Sequence, residues 1–419
     1  MAVWQRIPQP RDVGVLLLEA GENGMKALDW LNETLGDAVL SNGGPGDAQS
    51  LRAYLSAVRA TRFRGQWTLG ALLPPYPSRA FDNALAHFSE SQSAENRIYC
   101  VSMGVTNRCS FNCWHCCNAG RKVDDPPLRA LQDVCHEIQD LGTVRVLLTG
   151  GEPLLREDLE DICGAFDERS FVLVGTNGWG LSYARAARLK EAGVFGVGIS
   201  LDSEIEAEHD RLRGRTGAFQ AAVRAFDAAH RAGLYPYATV MARRELLSGR
   251  RFPRLLRFAR TIGAMEVSLL EPISVGRLRG RKDVMLLPRH RQMMLKYQRL
   301  VACCESVPLL ATDTHLGSAE SFRCRAGVDY FHIDGSGEVC PCSVVPLSFG
   351  NITQESLSEI LPRLRQSIAS PLRLCLARLL GSYIPPSSLP TSPGTSARIC
   401  ATHLGRRAAF LGTPQSRDA

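Results

Sequence analysis

The chain predicts an α/β fold built on a parallel sheet, and three observations predict it. Short apolar, β-branched runs recur at residues 98–105, 144–148, 171–174, 196–201, 235–241 and 264–270. Between them lie stretches with apolar residues at helical spacing, such as 128–141, 183–192 and 219–232. Residues able to do chemistry follow directly on the ends of these runs, where ligands bind in α/β sheets. Six such strand–helix repeats imply right-handed crossovers and one parallel sheet, with the chemistry gathered at the C-terminal ends of its strands.

Residues 1–96 precede this pattern and read as a mostly helical extension, with helical apolar spacing through 25–31 and 51–55. Ser41 to Gly46 is a loop, and Asp47 is placed to cap the helix that follows. Pro74, Pro75 and Pro77 make 73–78 extended, and Ser78 then caps a helix through Phe81, Leu85 and Phe88. A helical layer packed on the sheet domain is the first expectation here, with a leader-peptide-binding module as the alternative. The region is too short for a complete cobalamin-binding domain.

The 419 residues are 45% hydrophobic and 22% charged, ample for a globular core of two or three domains. The apolar run 13–18 is too short to span a membrane, and no signal-peptide pattern precedes it. Fourteen cysteines without a secretion signal point to a reducing, cytoplasmic setting and to metal chemistry. The net charge of +7 includes a run of arginines at 243, 244, 250, 251, 254, 257 and 260. Solvated helix faces explain such a run, and a patch for an acidic peptide or phosphorylated substrate is the sharper reading. No aromatic interleaving supports nucleic-acid binding.

The first run leads into Thr106-Asn107-Arg108-Cys109-Ser110-Phe111-Asn112-Cys113-Trp114-His115-Cys116, a C-x3-C-x2-C spacing. Three thiolates hold three irons of a [4Fe–4S] cluster and leave the fourth open to a ligand. The same spacing also suits a zinc knuckle or half of a ferredoxin motif, closed by a fourth Cys or His. His115 and Cys117 are the near candidates, although both are badly placed to reach the metal of their neighbours. The second run ends in Thr149-Gly150-Gly151-Glu152-Pro153-Leu154. There Gly-Gly exposes backbone at the sheet edge, and Glu152 supplies a carboxylate suited to an ammonium group.

Together these motifs resemble the radical S-adenosylmethionine (radical SAM) superfamily. Thr176-Asn177-Gly178, Gly198 to Asp202, and His209-Asp210-Arg211-Leu212-Arg213-Gly214 with Gly217 and Phe219 fit the same order, and the resemblance spans residues 97–280. It implies a partial (β/α)6 barrel with Cys109, Cys113 and Cys116 on the cluster. S-Adenosylmethionine would chelate the open iron, with Gly150, Gly151, Glu152 and Pro153 holding its ammonium group. By position, Asn177, Ser200 and Asp202 are expected near the ribose and carboxylate, and Arg213 is a partner for the carboxylate. The implied chemistry is reductive cleavage to a 5′-deoxyadenosyl radical that removes hydrogen from a substrate. An electron donor such as flavodoxin or ferredoxin is implied with it.

Residues 281–380 bring a second cysteine region: Cys324, the run Tyr330-Phe331-His332-Ile333, a Gly-containing turn, then Cys340-Pro341-Cys342. This reads as a β-hairpin and resembles the SPASM/Twitch extension of many radical SAM enzymes. The resemblance implies an auxiliary iron–sulfur cluster. Cys324, Cys342, Cys375 and Cys400 make four ligands, Cys340 is an alternative for one of them, and the bland reading of Cys375 and Cys400 is buried thiols. The cysteine group that serves a second auxiliary cluster is absent. Residues 381–419, rich in Pro, Ser and Arg, read as a loosely ordered tail. Cys100, Cys135, Cys163, Cys303 and Cys304 read as core or incidental, and His209 as a hydrogen-bonding residue.

The resemblance favours a ribosomally made peptide as substrate. An oxidoreductase of a cofactor, haem or lipid pathway is the alternative. A non-catalytic iron–sulfur or zinc protein is the alternative of another class, and the Gly-Gly-Glu-Pro motif speaks against it, since a structural site needs no ammonium pocket.

Overall fold

The computed structural model of the chain describes residues 26–35, 47–89, 97–318, 323–368, 372, 374–387 and 389–404. The loop expected at Ser41 to Gly46 and the last residues of the tail lie outside them.

The chain begins with helices α1 (Ala27–Leu35) and α2 (Asp47–Leu55), the hairpin β1 (Thr61–Phe63)–β2 (Gln66–Thr68), and α3 (Arg79–Ser89). Apolar spacing folds these helices around Trp30, Tyr54, Phe81 and Phe88, and the cluster closes on Tyr99 and Val144 at the N-terminal ends of the first two core strands. A second cluster joins Phe63 and Ala71 to Phe171, Tyr235 and Tyr237. The segment after β2 therefore plugs the bottom of the sheet domain. The Ala71 amide donates to Glu266 Oε2 at 2.6 Å, Arg145 Nε donates to the Ala71 carbonyl at 2.7 Å, and Tyr99 donates to the Leu72 carbonyl at 2.8 Å. Gly70 has φ +104°, and a Cβ there would lie 2.8 Å from the Glu266 carboxylate, so only glycine fits.

Strands β3 (Cys100–Thr106), β4 (Arg145–Gly150), β5 (Phe171–Thr176), β6 (Gly196–Ser200), β7 (Tyr235–Met241), β8 (Glu266–Leu270) and β9 (Leu309–Thr312) are parallel neighbours in chain order. Helices α4 (Leu128–Asp140), α5 (Leu159–Cys163), α6 (Tyr183–Glu191), α7 (Glu206–Arg213), α8 (Ala218–Ala232), α9 (Arg251–Thr261) and α10 (Pro288–Val301) make the crossovers. The sheet is open, as a partial barrel requires, and it continues one strand past the six expected. The run forming β9 is short and follows Pro308, which hides it from a periodicity reading.

A short helix α11 (Asp313–Leu316) follows β9. The second cysteine region then folds back across the domain. Its hairpin, β10 (Tyr330–Ile333) and β11 (Val339–Cys340), joins the other edge of the sheet, with β10 parallel to β3 and β11 antiparallel to β10. Helices α12 (Leu357–Ser367), α13 (Leu376–Leu380) and α14 (Pro393–His403) complete the described chain. The stretch after Gly381, expected to be loosely ordered, is built into the domain through residue 404. Pro393 starts α14 at a position where its missing N–H costs nothing, and Ile384, Leu389 and Cys400 anchor the stretch in the core. The arginine run is not one patch either. Arg243 and Arg251 pair with Glu208, and Arg244 donates to the Met285 carbonyl. Among the described residues, no helix is long and apolar enough to cross a membrane.

Burial pushes Glu266 up to about 7, against the hydrogen bond from the Ala71 amide and the charge of Arg145. The folded chain therefore holds a proton that the unfolded chain releases near its ordinary pKa. Stability from this group is present below about pH 4.5 and is lost as pH rises toward about 7. Glu266→Gln keeps the acceptor for the Ala71 amide and removes the titration. We expect Tm of Glu266→Gln to fall less than that of the parent between about pH 5 and about pH 8. Parallel curves would show that Glu266 ionises freely.

Candidate active site

The loop after β3 carries Cys109, Cys113 and Cys116 and is held on four sides. The Asn112 and Trp114 amides donate to the Arg213 and Leu212 carbonyls at the end of α7, both at 3.1 Å. The Arg277 amide donates to the Cys116 carbonyl at 3.0 Å, where Gly276 comes so close that a Cβ would lie 2.3 Å from that oxygen. Asn118 Nδ2 donates to the Gly150 carbonyl at 2.7 Å, and Gly335 in the β10–β11 turn packs on Thr106 and Asn107. Cys109 is exposed at the rim, and Cys113 and Cys116 are half-buried. Burial first pushes the thiols of Cys113 and Cys116 up, and each of the three thiols lies within electrostatic reach of another. Such thiols become thiolates when they bind metal. Among the described residues, no three Cys, His, Asp or Glu side chains converge on one point.

Gly150 and Gly151 bring β4 against this loop. The Gly151 amide donates to the Thr106 carbonyl at 2.7 Å, and the Glu152 amide donates to the Arg108 carbonyl at 2.8 Å. A Cβ on Gly151 would sit 2.2 Å from the Arg108 oxygen, which explains the glycine. Glu152 turns its carboxylate toward the end of β5. Its carboxylate is buried and accepts from Thr176 Oγ1 at 2.7 Å, the Asn177 amide at 2.8 Å and the Leu154 amide at 3.1 Å. Burial raises it to about 7 in spite of these bonds. Glu152 thus ties the Gly-Gly turn to the end of β5, and Pro153 starts the helical turn that follows. Thr176, quoted from the sequence within the Thr176-Asn177-Gly178 motif but given no role there, is its partner.

The other predicted residues do gather at this edge. Asn177 follows β5, Ser200 ends β6 and Asp202 follows it. Asp202 is fully buried and accepts from the Met241 amide at 2.9 Å, and its Oδ2 lies 3.0 Å from Arg213 Nε. Burial opposes its charge, yet Arg213 and then His115 hold it below the usual carboxylate range. Arg213 therefore has a protein carboxylate as its partner, and its Nη1 donates to Cys113 Sγ at 3.9 Å. His209 accepts from the Asp202 amide through Nδ1 at 3.1 Å, the hydrogen-bonding role expected of it. His115 faces Asp202 with Nδ1 at 4.0 Å, and burial lowers it to about 4, which leaves the imidazole neutral. Asn177 Nδ2 and His115 Nδ1 are buried donor or acceptor atoms without a protein hydrogen-bond partner. Buried polar atoms left in this state mark where a polar ligand belongs. The residues thus fit a three-iron thiolate mount beside a polar ligand pocket.

The second cysteine group assembles in part. Cys324 pairs by backbone with Leu372, and its Sγ accepts from the Leu376 amide at 3.5 Å. Burial first, and then the thiols of Cys375 and Cys324, push Cys342 above the ordinary range, and Cys324 acts likewise on Cys375. These three thiols lie within electrostatic reach of one another. Cys400, on α14, is buried among core side chains, and burial alone accounts for its raised pKa. Cys340 is fully buried, and burial first and then the charge of Asp334 push its thiol up. Arg121, missed in the sequence because it lies beyond the cysteine run, joins the two regions. Its Nη2 donates to the Ser343 carbonyl at 2.6 Å, and its Nη1 lies 3.3 Å from His332 Nε2.

Comparison with known proteins agrees with this geometry. Residues 103–243 match the radical SAM superfamily model, and residues 324–376 match that of the SPASM iron–sulfur cluster-binding domain. The chain is 25% identical over 288 residues to an AdoMet-dependent heme synthase of Nitratidesulfovibrio vulgaris, covering 62% of this chain and 77% of that one. It is 35% identical over 138 residues to a pre-heme d1 synthase of Dinoroseobacter shibae, covering 32% and 34%. The structure resembles SuiB of Streptococcus suis bound to S-adenosylmethionine, with TM-score 0.55 and 15% identity over 73% of this chain and 79% of that one. It also resembles SuiB bound to its precursor peptide SuiA, with TM-score 0.54 and 16% identity over 64% and 65%.

Proposed function

We propose, for a chain that is a radical SAM enzyme with a SPASM-type iron–sulfur extension, that Cys109, Cys113 and Cys116 mount the catalytic cluster and that hydrogen is taken from a substrate seated between β3–β9 and the second cysteine group. When bound, the cluster and S-adenosylmethionine supply one-electron cleavage of the sulfonium and, from it, hydrogen abstraction. The observation that carries the reading is the meeting, at one sheet edge, of the thiol loop, the Gly150-Gly151 turn and the buried unpaired atoms of Asn177 and His115.

The chain's own residues bind and orient. Arg213 and Asp202 form a buried pair that fixes α7 against the thiol loop. Glu152 locks the end of β5 so that Asn177 faces the ligand pocket. His115 stands between two of the proposed ligands with its Nδ1 4.0 Å from Asp202 Oδ2, which ties the thiol loop to the end of β6.

A ribosomally made peptide is the first reading of the substrate, and the architecture shared with SuiB supports it at the level of fold alone. A tetrapyrrole of a haem pathway is the second, favoured by relatives whose likeness spans most of their length. The test is anaerobic reconstitution, iron and sulfide analysis, and assay of 5′-deoxyadenosine with dithionite and S-adenosylmethionine. We expect about eight irons per chain and 5′-deoxyadenosine formed. Bound zinc without product would leave a structural metal protein.

A further inference from the structure

We propose that Arg291 and Arg378 form a clamp for a substrate carboxylate at the mouth of the barrel. The inference rests on the reading above and names the group by which the substrate is held.

Glu271 follows the last residue of β8, at the same sheet edge as Gly150, Asn177 and Ser200. Its carboxylate is 6% exposed and holds two cations. Arg291 Nε, from α10, lies 2.8 Å from Oε2, and Arg378 Nη2, from α13, donates to the same oxygen. Thr314 Oγ1 closes Oε1, and the Glu271 amide donates to Asp313 Oδ2 at 3.1 Å. The arrangement sets two guanidinium charges against two carboxylates, Glu271 and Asp313 beside it. It also leaves donors free: among the described residues, nothing accepts from Nη1 or Nη2 of Arg291, or from Nε or Nη1 of Arg378. Both side chains are partly open to solvent, at 29% and 39%. Arg291 keeps Nη1 and Nη2 as one free edge and Arg378 keeps single free donors, an arrangement suited to charge-assisted hydrogen bonds to a carboxylate.

A purely structural role would be to tie α13 to the barrel. That tie already exists, because Arg279 donates to the Ile384 carbonyl and to the Gly381 carbonyl at the end of α13. Position adds to the argument. Arg378 lies three residues beyond Cys375, and Glu271 shares its edge with the Gly-Gly turn. A carboxylate held here places the rest of the substrate between the two cysteine groups.

Side-chain carboxylates of an acidic peptide and propionates of a tetrapyrrole share this chemistry, so the test uses one probe of each. On anaerobically reconstituted protein, Kd would be measured for a propionate-bearing porphyrin against its methyl ester, and for a labelled oligoglutamate against the matching oligoglutamine. We expect one acid to bind at least about tenfold more tightly than its neutral counterpart, and Arg378→Gln and Arg291→Gln each to weaken it about tenfold. Arg378→Lys should recover only part of the loss, since it restores charge without the fork. The probe that shows the preference identifies the source of the carboxylate. Should Arg378→Gln lose its second iron complement, Arg291→Gln on the barrel helix carries the test. Equal binding of acid and neutral forms, or variants that bind as the parent does, would overturn the clamp. Failure of the underlying reading appears elsewhere, as parent protein that makes no 5′-deoxyadenosine.

Discussion

Cys113→Ala is expected to abolish S-adenosylmethionine cleavage. Cys113 is the middle thiol of a loop whose backbone is fixed by α7 on one side and by Gly276 on the other. The loop cannot shift to offer another ligand without breaking those bonds. The nearest spare thiol is Cys117, whose Sγ lies 3.6 Å from Asn118 Oδ1 and whose neighbour Cys116 is itself a proposed ligand. With two thiolates the cubane loses its mount, so about four irons per chain should be lost and 5′-deoxyadenosine should fall below detection under dithionite. Cys117→Ala is the matched control and should retain both. Cleavage that survives in Cys113→Ala would place the catalytic thiols elsewhere and remove the basis of the proposed function.

What was legible in the sequence divides along a physical line. The six core strands were readable because each is a short, largely apolar run with a buried face, and the motif residues were readable because they sit within a few positions of those strand ends. The helical turn at Gly-Gly-Glu-Pro and the hairpin after Tyr330 are local in the same sense. The strand β9 escaped because four residues after a proline carry too little periodicity. The partners of the polar groups escaped for a different reason. Glu152 answers to Thr176, Arg213 to Asp202, and Glu271 to Arg378, pairings that span up to 107 residues and follow from the folded sheet and not from any spacing in the chain. The order of the stretch after Gly381 was hidden because composition averages over Ile384, Leu389 and Cys400, the few side chains that reach the core.

The auxiliary thiols give the second large effect. Cys342→Ala and Cys375→Ala should each remove about four irons per chain while leaving the first cluster able to cleave S-adenosylmethionine. Cys400→Ala should leave iron content unchanged. The contrast follows from where the thiols lie. Cys342 follows the β10–β11 hairpin and Cys375 precedes α13, and each lies within electrostatic reach of the thiol of Cys324. Cys400 is held by apolar neighbours on α14, beyond the matched SPASM segment, and behaves as a small core side chain. Its replacement should therefore appear in stability, as a modest fall in Tm, and not in metal content. Loss of iron in Cys400→Ala would instead show that α14 swings toward the cluster on loading and that four thiols close it. If only Cys324, Cys342 and Cys375 are needed, the auxiliary cluster would keep one iron without a thiolate from the chain.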